Sequence, residues 1–111
     1  MIRQTVVRYT TKDEAAAKEN QRLIEVVFAD LAANPLEGLR SYNVGVLEDG
    51  LSFVHVAVVD VDANPLLTLE SFRAFSSTVG ERTDAPPIAV TADVFAACPL
   101  SSRPSDRKAR S

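Results

Sequence analysis

The chain predicts an α+β fold of βαββαβ order, with a four-stranded antiparallel sheet carrying two helices on one face. Three observations carry this. Asp49-Gly50 separates two runs rich in β-branched residues, which marks a tight hairpin. An apolar stripe at three- and four-residue spacing precedes that hairpin, and a second, shorter stripe follows it. Further β-rich runs stand at either end, Ile2 to Tyr9 and Ile88 to Phe95.

The elements follow in order. Ile2 to Tyr9 contains neither Gly nor Pro and reads as the first strand. Thr11, with Glu14 three residues on, fits a capping box at a helix start. Ala16, Asn20, Leu23, Ile24, Val27, Phe28 and Leu31 then share one helical face, and Asn34-Pro35 stops the helix near Ala33. Gly38 supplies the turn into the hairpin strands, Leu39 to Glu48 and Leu51 to Asp60. Leu69, Phe72, Phe75 and Val79 mark a second helix, capped by Thr68 and ended at Gly80. This order is the split βαβ of ferredoxin-like folds, and right-handed crossovers place the first and third strands at the centre.

At 111 residues, 46% hydrophobic and 24% charged, the chain is expected to form one domain over 1–97. Residues 98–111 read as a basic, disordered tail, because serines, prolines and charges cannot build a core. Arg103, Arg107, Lys108 and Arg110 face only Asp106 there, so the net charge of −3 belongs to an acidic body. An acidic body argues against a nucleic-acid surface. No apolar run reaches the length of a membrane span, and the start lacks the apolar core of a signal peptide, so a cytoplasmic location is expected. The single cysteine, Cys98, reads as an inert thiol, and the single histidine excludes a multi-histidine metal site. Gly-x-Ser-x-Gly and phosphate-cradling motifs are absent, and Asp60, Asp62 and Asn64 read as a solvated turn. No cofactor is expected.

The two-residue turn also fixes a register. Glu48 pairs with Leu51, Val46 with Phe53, Val44 with His55 and Tyr42 with Ala57, and opposed residues share a face. Because Val54, Val56 and Val58 are uniformly β-branched, their face is assigned to the helices, together with Val7 and Tyr9. Tyr42, Val44, Val46, Phe53, His55 and Ala57 then lie on the open face beside Gln4, Val6 and Arg8. Such an apolar surface calls for a cover, and a second copy of the chain is the simplest one.

Val7-Arg8-Tyr9-Thr10-Thr11-Lys12 leading into a helix, Gly38-Leu39 followed by Tyr42, and Phe53-Val54-His55-Val56 on the third strand resemble the dimeric α/β-barrel superfamily. The nearest likeness is to the antibiotic biosynthesis monooxygenase-like proteins, over about residues 1–96. The resemblance implies a homodimer packed sheet to sheet, with a ligand cavity in each subunit, and in some members cofactor-free oxidation of phenols by molecular oxygen. The chain departs from the active members in having no tryptophan.

The candidate site follows from the faces. His55 suits a general base toward a phenolic ligand, Tyr42 a hydrogen-bond donor, and Arg8 a stabiliser of the resulting phenolate, with Phe53 and Val44 as pocket walls. Against these stand a histidine bonding a neighbour across the interface, an interfacial tyrosine and an edge ion pair. The function expected is small-molecule binding, extending to a cofactor-independent monooxygenase acting on an aromatic or phenolic compound. The alternative is a non-catalytic binding or stress-response protein whose interface is filled by its own side chains.

Overall fold

The computed structural model describes residues 2–98. Four strands, β1 (Arg3–Thr10), β2 (Leu39–Val46), β3 (Ser52–Val59) and β4 (Ile88–Asp93), form one antiparallel sheet in the order β2-β3-β1-β4. Helices α1 (Glu14–Ala33) and α2 (Glu70–Thr78) connect them as the sequence order requires, with a short 3-10 turn, Pro65–Thr68, ahead of α2. The βαββαβ architecture and the central β1 and β3 agree with the sequence expectation. The expected basic tail lies, from residue 99 onward, outside the described residues.

Local chemistry differs from expectation at both helix starts. Asp13, not Thr11, caps α1: its carboxylate accepts from the Ala16 amide at 2.7 Å. Thr11 instead donates to the Leu51 carbonyl at 2.8 Å, tying the strand end to the hairpin. Thr68 does not cap α2; its hydroxyl donates to the Pro65 carbonyl at 2.7 Å within the 3-10 turn. Gly38 occupies the left-handed region at φ 90°, where a Cβ would also stand 2.8 Å from Val61.

The expected register holds, with Val46 opposite Phe53, Val44 opposite His55 and Tyr42 opposite Ala57. The loop, however, has four residues and not two: Leu47 donates to the Ser52 carbonyl at 2.9 Å and Gly50 to the Leu47 carbonyl at 2.9 Å, so Glu48 and Leu51 belong to the loop and are not a strand pair. Asp49 holds the turn by accepting from the Leu51 and Ser52 amides, each at 2.8 Å. Across the centre, Val7 pairs with His55 and Tyr9 with Phe53, so these four side chains share one face.

That face is the one the helices cover, as expected for Val7 and Tyr9, whereas for Phe53, His55, Val44 and Tyr42 it corrects the assignment made from sequence. Tyr9 and Phe53 pack with Ala17, Ile24 and Val27 of α1 and with Phe75 of α2, and Phe53 is fully buried. Val54, Val56 and Val58 point the other way, in rows with Arg8, Val6 and Gln4. The physical reason is volume. The space between a helix layer and a sheet is filled by large side chains, and Tyr9, Phe53 and Phe75 supply them. The smaller valines make a flat surface with no element of the described chain above it. Ile88 and Val90 of β4 extend that surface at 58% and 61% exposure, so an uncovered apolar face exists, but it is the opposite one. Among the described residues, no helix is long and apolar enough to cross a membrane.

Candidate functional site

Between the sheet and α2 lies a cavity of about 200 Å³. Its floor is sunken for a simple reason. The row Tyr42, Ala57, Thr5 crosses β2, β3 and β1, and places two small side chains beside one large one. Leu66, Phe72, Phe75 and Val79 roof it, and it reaches the surface at exposed Ser76 and half-buried Asn64 and Pro87. A cavity of ~150 Å³ accommodates benzene, whereas drug-sized sites run from roughly 300 Å³ upward, so this chamber suits one or two fused rings.

Besides Thr5 on the floor and Asn64 and Ser76 near the mouth, its polar groups form one connected network. The hydroxyls of Tyr9 and Tyr42 approach the His55 ring from opposite sides, at 2.7 Å from Nε2 and 2.7 Å from Nδ1 respectively. Neither tyrosine is the direct cross-strand partner of His55; both reach it diagonally, as aromatic side chains can. Behind Tyr9, Asn20 of α1 donates its amide to the tyrosine oxygen at 2.9 Å. Arg82 donates from Nε to Asn20 Oδ1 at 2.8 Å, and its other nitrogens donate to the Phe75 and Thr78 carbonyls and the Thr78 hydroxyl. Arg82 is buried, lies over the Phe75 ring, and has no carboxylate of the described residues within ion-pair distance.

Burial sets the protonation states. It pushes the His55 pKa down to about 4, so the imidazole is neutral at pH 7. It pushes the Tyr9 hydroxyl up to about 12, against smaller lowering effects from the Asn20 hydrogen bond and the Arg82 charge. The Tyr42 hydroxyl is also raised, by burial first and by neighbouring Tyr9 second. At neutral pH the network therefore contains two un-ionised phenols and a neutral imidazole.

Of the residues singled out from sequence, His55 and Tyr42 meet in this chamber. Arg8 does not: it is exposed on the opposite face, opposite Val54 and Ile88, because β1 alternates and Tyr9 faces the helices. Phe53 is core and does not line the cavity. Val44 packs against the core and borders a shallow depression beside Ile24 and Phe28 instead. The open-face chamber built from these five residues is thus replaced by one beneath the helices. Tyr9, Asn20 and Arg82 were missed as site residues. Asn20 carried a signal, an amide within an otherwise apolar helical stripe, whereas Arg82 sits in an aperiodic loop and carried none.

Fold and site together define a ferredoxin-like α+β protein with a small aromatic-lined chamber between sheet and helices. Solved structures share this fold. A putative antibiotic biosynthesis monooxygenase from Caulobacter crescentus CB15 superposes with a TM-score of 0.66 at 16% identity, covering 86% of this chain and 91% of that one. SnoaB, a cofactor-independent oxygenase from Streptomyces nogalater crystallised as the N63A mutant, gives 0.64 at 17% identity, covering 89% and 98%. Rv0793 from Mycobacterium tuberculosis gives 0.64 at 16% identity, covering 92% and 98%. At these identities the likeness is one of fold. Neither a protein-family model nor a curated protein matches the sequence.

Proposed function

We propose that the chain binds a compact aromatic molecule bearing an oxygen substituent in the chamber beside His55, and oxidises it with molecular oxygen without a cofactor. The observation that carries the reading is the combination of a mostly apolar, aromatic-lined space of about 200 Å³ with a hydrogen-bonded polar cluster, Tyr42, His55 and Tyr9, on its wall. Such a site buries rings and orients them by one oxygen. The cofactor-independent oxygenase among the fold neighbours supports the reaction class.

1-Naphthol illustrates the balance. The ring carbon para to the hydroxyl gains one oxygen atom and loses its hydrogen, the hydroxyl oxygen becomes a carbonyl, and the second atom of dioxygen leaves as water. The electrons come from the substrate, so no external reductant is needed. The protein contributes orientation, exclusion of water and stabilisation of the electron-rich phenolate, whose proton passes to solvent before the ring is enclosed, since neither His55 nitrogen is free to take it. His55, with both nitrogens engaged by tyrosines, acts through Tyr42 and not by direct contact.

The assembly proposed is a homodimer closed through the Val6, Val54, Val56 and Val90 surface, since a monomer seldom leaves an apolar sheet face bare. A second reading, non-catalytic binding, is favoured by the absence of a free basic nitrogen on His55. Oxygen uptake with 1-naphthol and hydroquinones separates the two. Consumption that falls sharply in His55→Ala supports the oxygenase; binding without consumption leaves the binding protein.

A further inference from the structure

We infer that the buried network runs in one direction only, from Arg82 through Asn20, Tyr9 and His55, so that Tyr42 offers the chamber a hydrogen-bond donor and the ligand must present an acceptor oxygen, of a carbonyl, phenol or phenolate.

The direction follows from counting protons. Arg82 has donors and no acceptor, so the Asn20 atom 2.8 Å from its Nε is the amide oxygen. Asn20 must then turn its NH₂ to the Tyr9 oxygen at 2.9 Å. Tyr9 has one proton of its own, and its only other hydrogen-bond partner among the described residues is His55 Nε2. If that nitrogen carried a proton, Tyr9 would receive two donors and its own proton would have no acceptor among the described residues; this costs more at buried Tyr9 than an unpaired proton does at half-buried Tyr42. Tyr9 therefore donates to Nε2, and neutral His55 carries its proton on Nδ1. Nδ1–H donates to the Tyr42 oxygen at 2.7 Å. The Tyr42 proton is the one left over: Tyr42 makes no other hydrogen bond among the described residues, and it lines the cavity.

The chain thus converts a buried cation into an oriented hydroxyl at the chamber wall. Arg82, Asn20, Tyr9 and His55 are positioning residues; Tyr42 is the group that meets the ligand. A donor held in place in this way stabilises negative charge on a bound oxygen without reorganising. It does not suit a ligand whose polar groups are N–H donors alone, whereas a hydroxyl oxygen can accept through its lone pairs. The ligand half of this inference rests on the chamber reading above; the polarity half does not.

The chain has one histidine, so its ring nitrogens can be read without overlap in a long-range ¹H–¹⁵N correlation spectrum of the labelled full-length protein. The expected result at pH 7 is the Nδ1–H tautomer. An Nε2–H tautomer overturns the direction. Asn20→Asp supplies the converse. A carboxylate beside Arg82 only accepts, so Tyr9 must donate to it, His55 must donate from Nε2, and Tyr42 must donate to Nδ1. The tautomer then switches to Nε2–H, which a merely structural role for Asn20 would not produce. If that variant does not fold, the wild-type spectrum still decides. For the ligand, 1-tetralone and tetralin share a two-ring shape and differ in one carbonyl oxygen. Wild type is expected to bind 1-tetralone about fivefold more tightly, and Tyr42→Phe to remove the difference. Equal affinity in wild type overturns the acceptor preference. Failure of both compounds to bind, with the Nδ1–H tautomer present, overturns the chamber reading and leaves the polarity standing.

Discussion

Tyr42 and His55 meet diagonally across β2 and β3: the backbone partner of Tyr42 is Ala57, yet its hydroxyl stands 2.7 Å from His55 Nδ1. The small side chain at 57 leaves the space that lets the tyrosine lean, and the same space is part of the cavity floor. Stacking on Phe28, with ring centroids 5.0 Å apart, holds the tyrosine ring from the other side.

Tyr42→Phe is therefore a clean deletion of one hydroxyl. The ring keeps its stacking partner, so the fold is expected to persist, with a stability loss of about 1–3 kcal/mol because the buried His55 Nδ1–H loses its acceptor. Oxygen uptake with a naphthol should fall about 100-fold, in line with the loss of one oriented donor at a developing anion. Denaturant unfolding and an oxygen electrode measure the two effects separately.

His55 predicts an acid limb in the stability curve. Burial holds its pKa at about 4 against an ordinary 6.5. The unfolded chain takes up the proton first as pH falls, so stability is lost between pH 6.5 and 4, and this group adds no further loss below that. The loss amounts to about 3 kcal/mol. His55→Gln should lack this part of the curve while keeping the acid limb that the carboxylates contribute. Parallel curves for the two proteins across that window would contradict the assignment.

Asn20 links α1 to both Tyr9 and Arg82 and is fully buried. Asn20→Ala leaves the guanidinium Nε without its acceptor and is expected to cost about 2–4 kcal/mol, more than a typical buried hydrogen bond, because one of the groups left unpaired is charged. Arg82→Lys should also destabilise, since an ammonium cannot reach Asn20, Thr78 and Phe75 together as the planar fork does. Chemical denaturation reads both.

Val56 lies at the middle of the uncovered face, opposite Val6, which in turn opposes Val90. Val56→Lys should leave the helix-side core and the circular dichroism spectrum unchanged and convert the proposed dimer to a monomer in light scattering at micromolar concentration. A wild-type chain that is already monomeric there would remove the proposed assembly.

The extent to which this structure was legible depends on the range of each determinant. Asp49-Gly50 is a local signal, and it gave the β2–β3 register from Tyr42–Ala57 to Val46–Phe53, though neither the four-residue loop nor the shift between Leu39 and Ser41. Which face of β3 turns to the helices is not local. Phe53 to Val59 is apolar on both sides, so alternation sets the two faces without ranking them, and packing volume around Tyr9, Phe53 and Phe75 decides. That single inversion moved His55 and Tyr42 from an open surface to an interior chamber and parted them from Arg8. The rest of the network joins residues as far apart as Asn20 and Arg82, which only the folded chain brings together.

The account turns on whether the chamber beneath α2 receives an oxygen-bearing aromatic ring. Titration of ¹⁵N,¹³C-labelled protein with 1-naphthol, followed by NMR, tests this most directly. The account predicts saturable shifts centred on Tyr42, His55, Phe72 and Val79, with intermolecular contacts between the ligand and those side chains. Shifts confined to the Val54, Val56 and Val90 surface, or none at all, would contradict it.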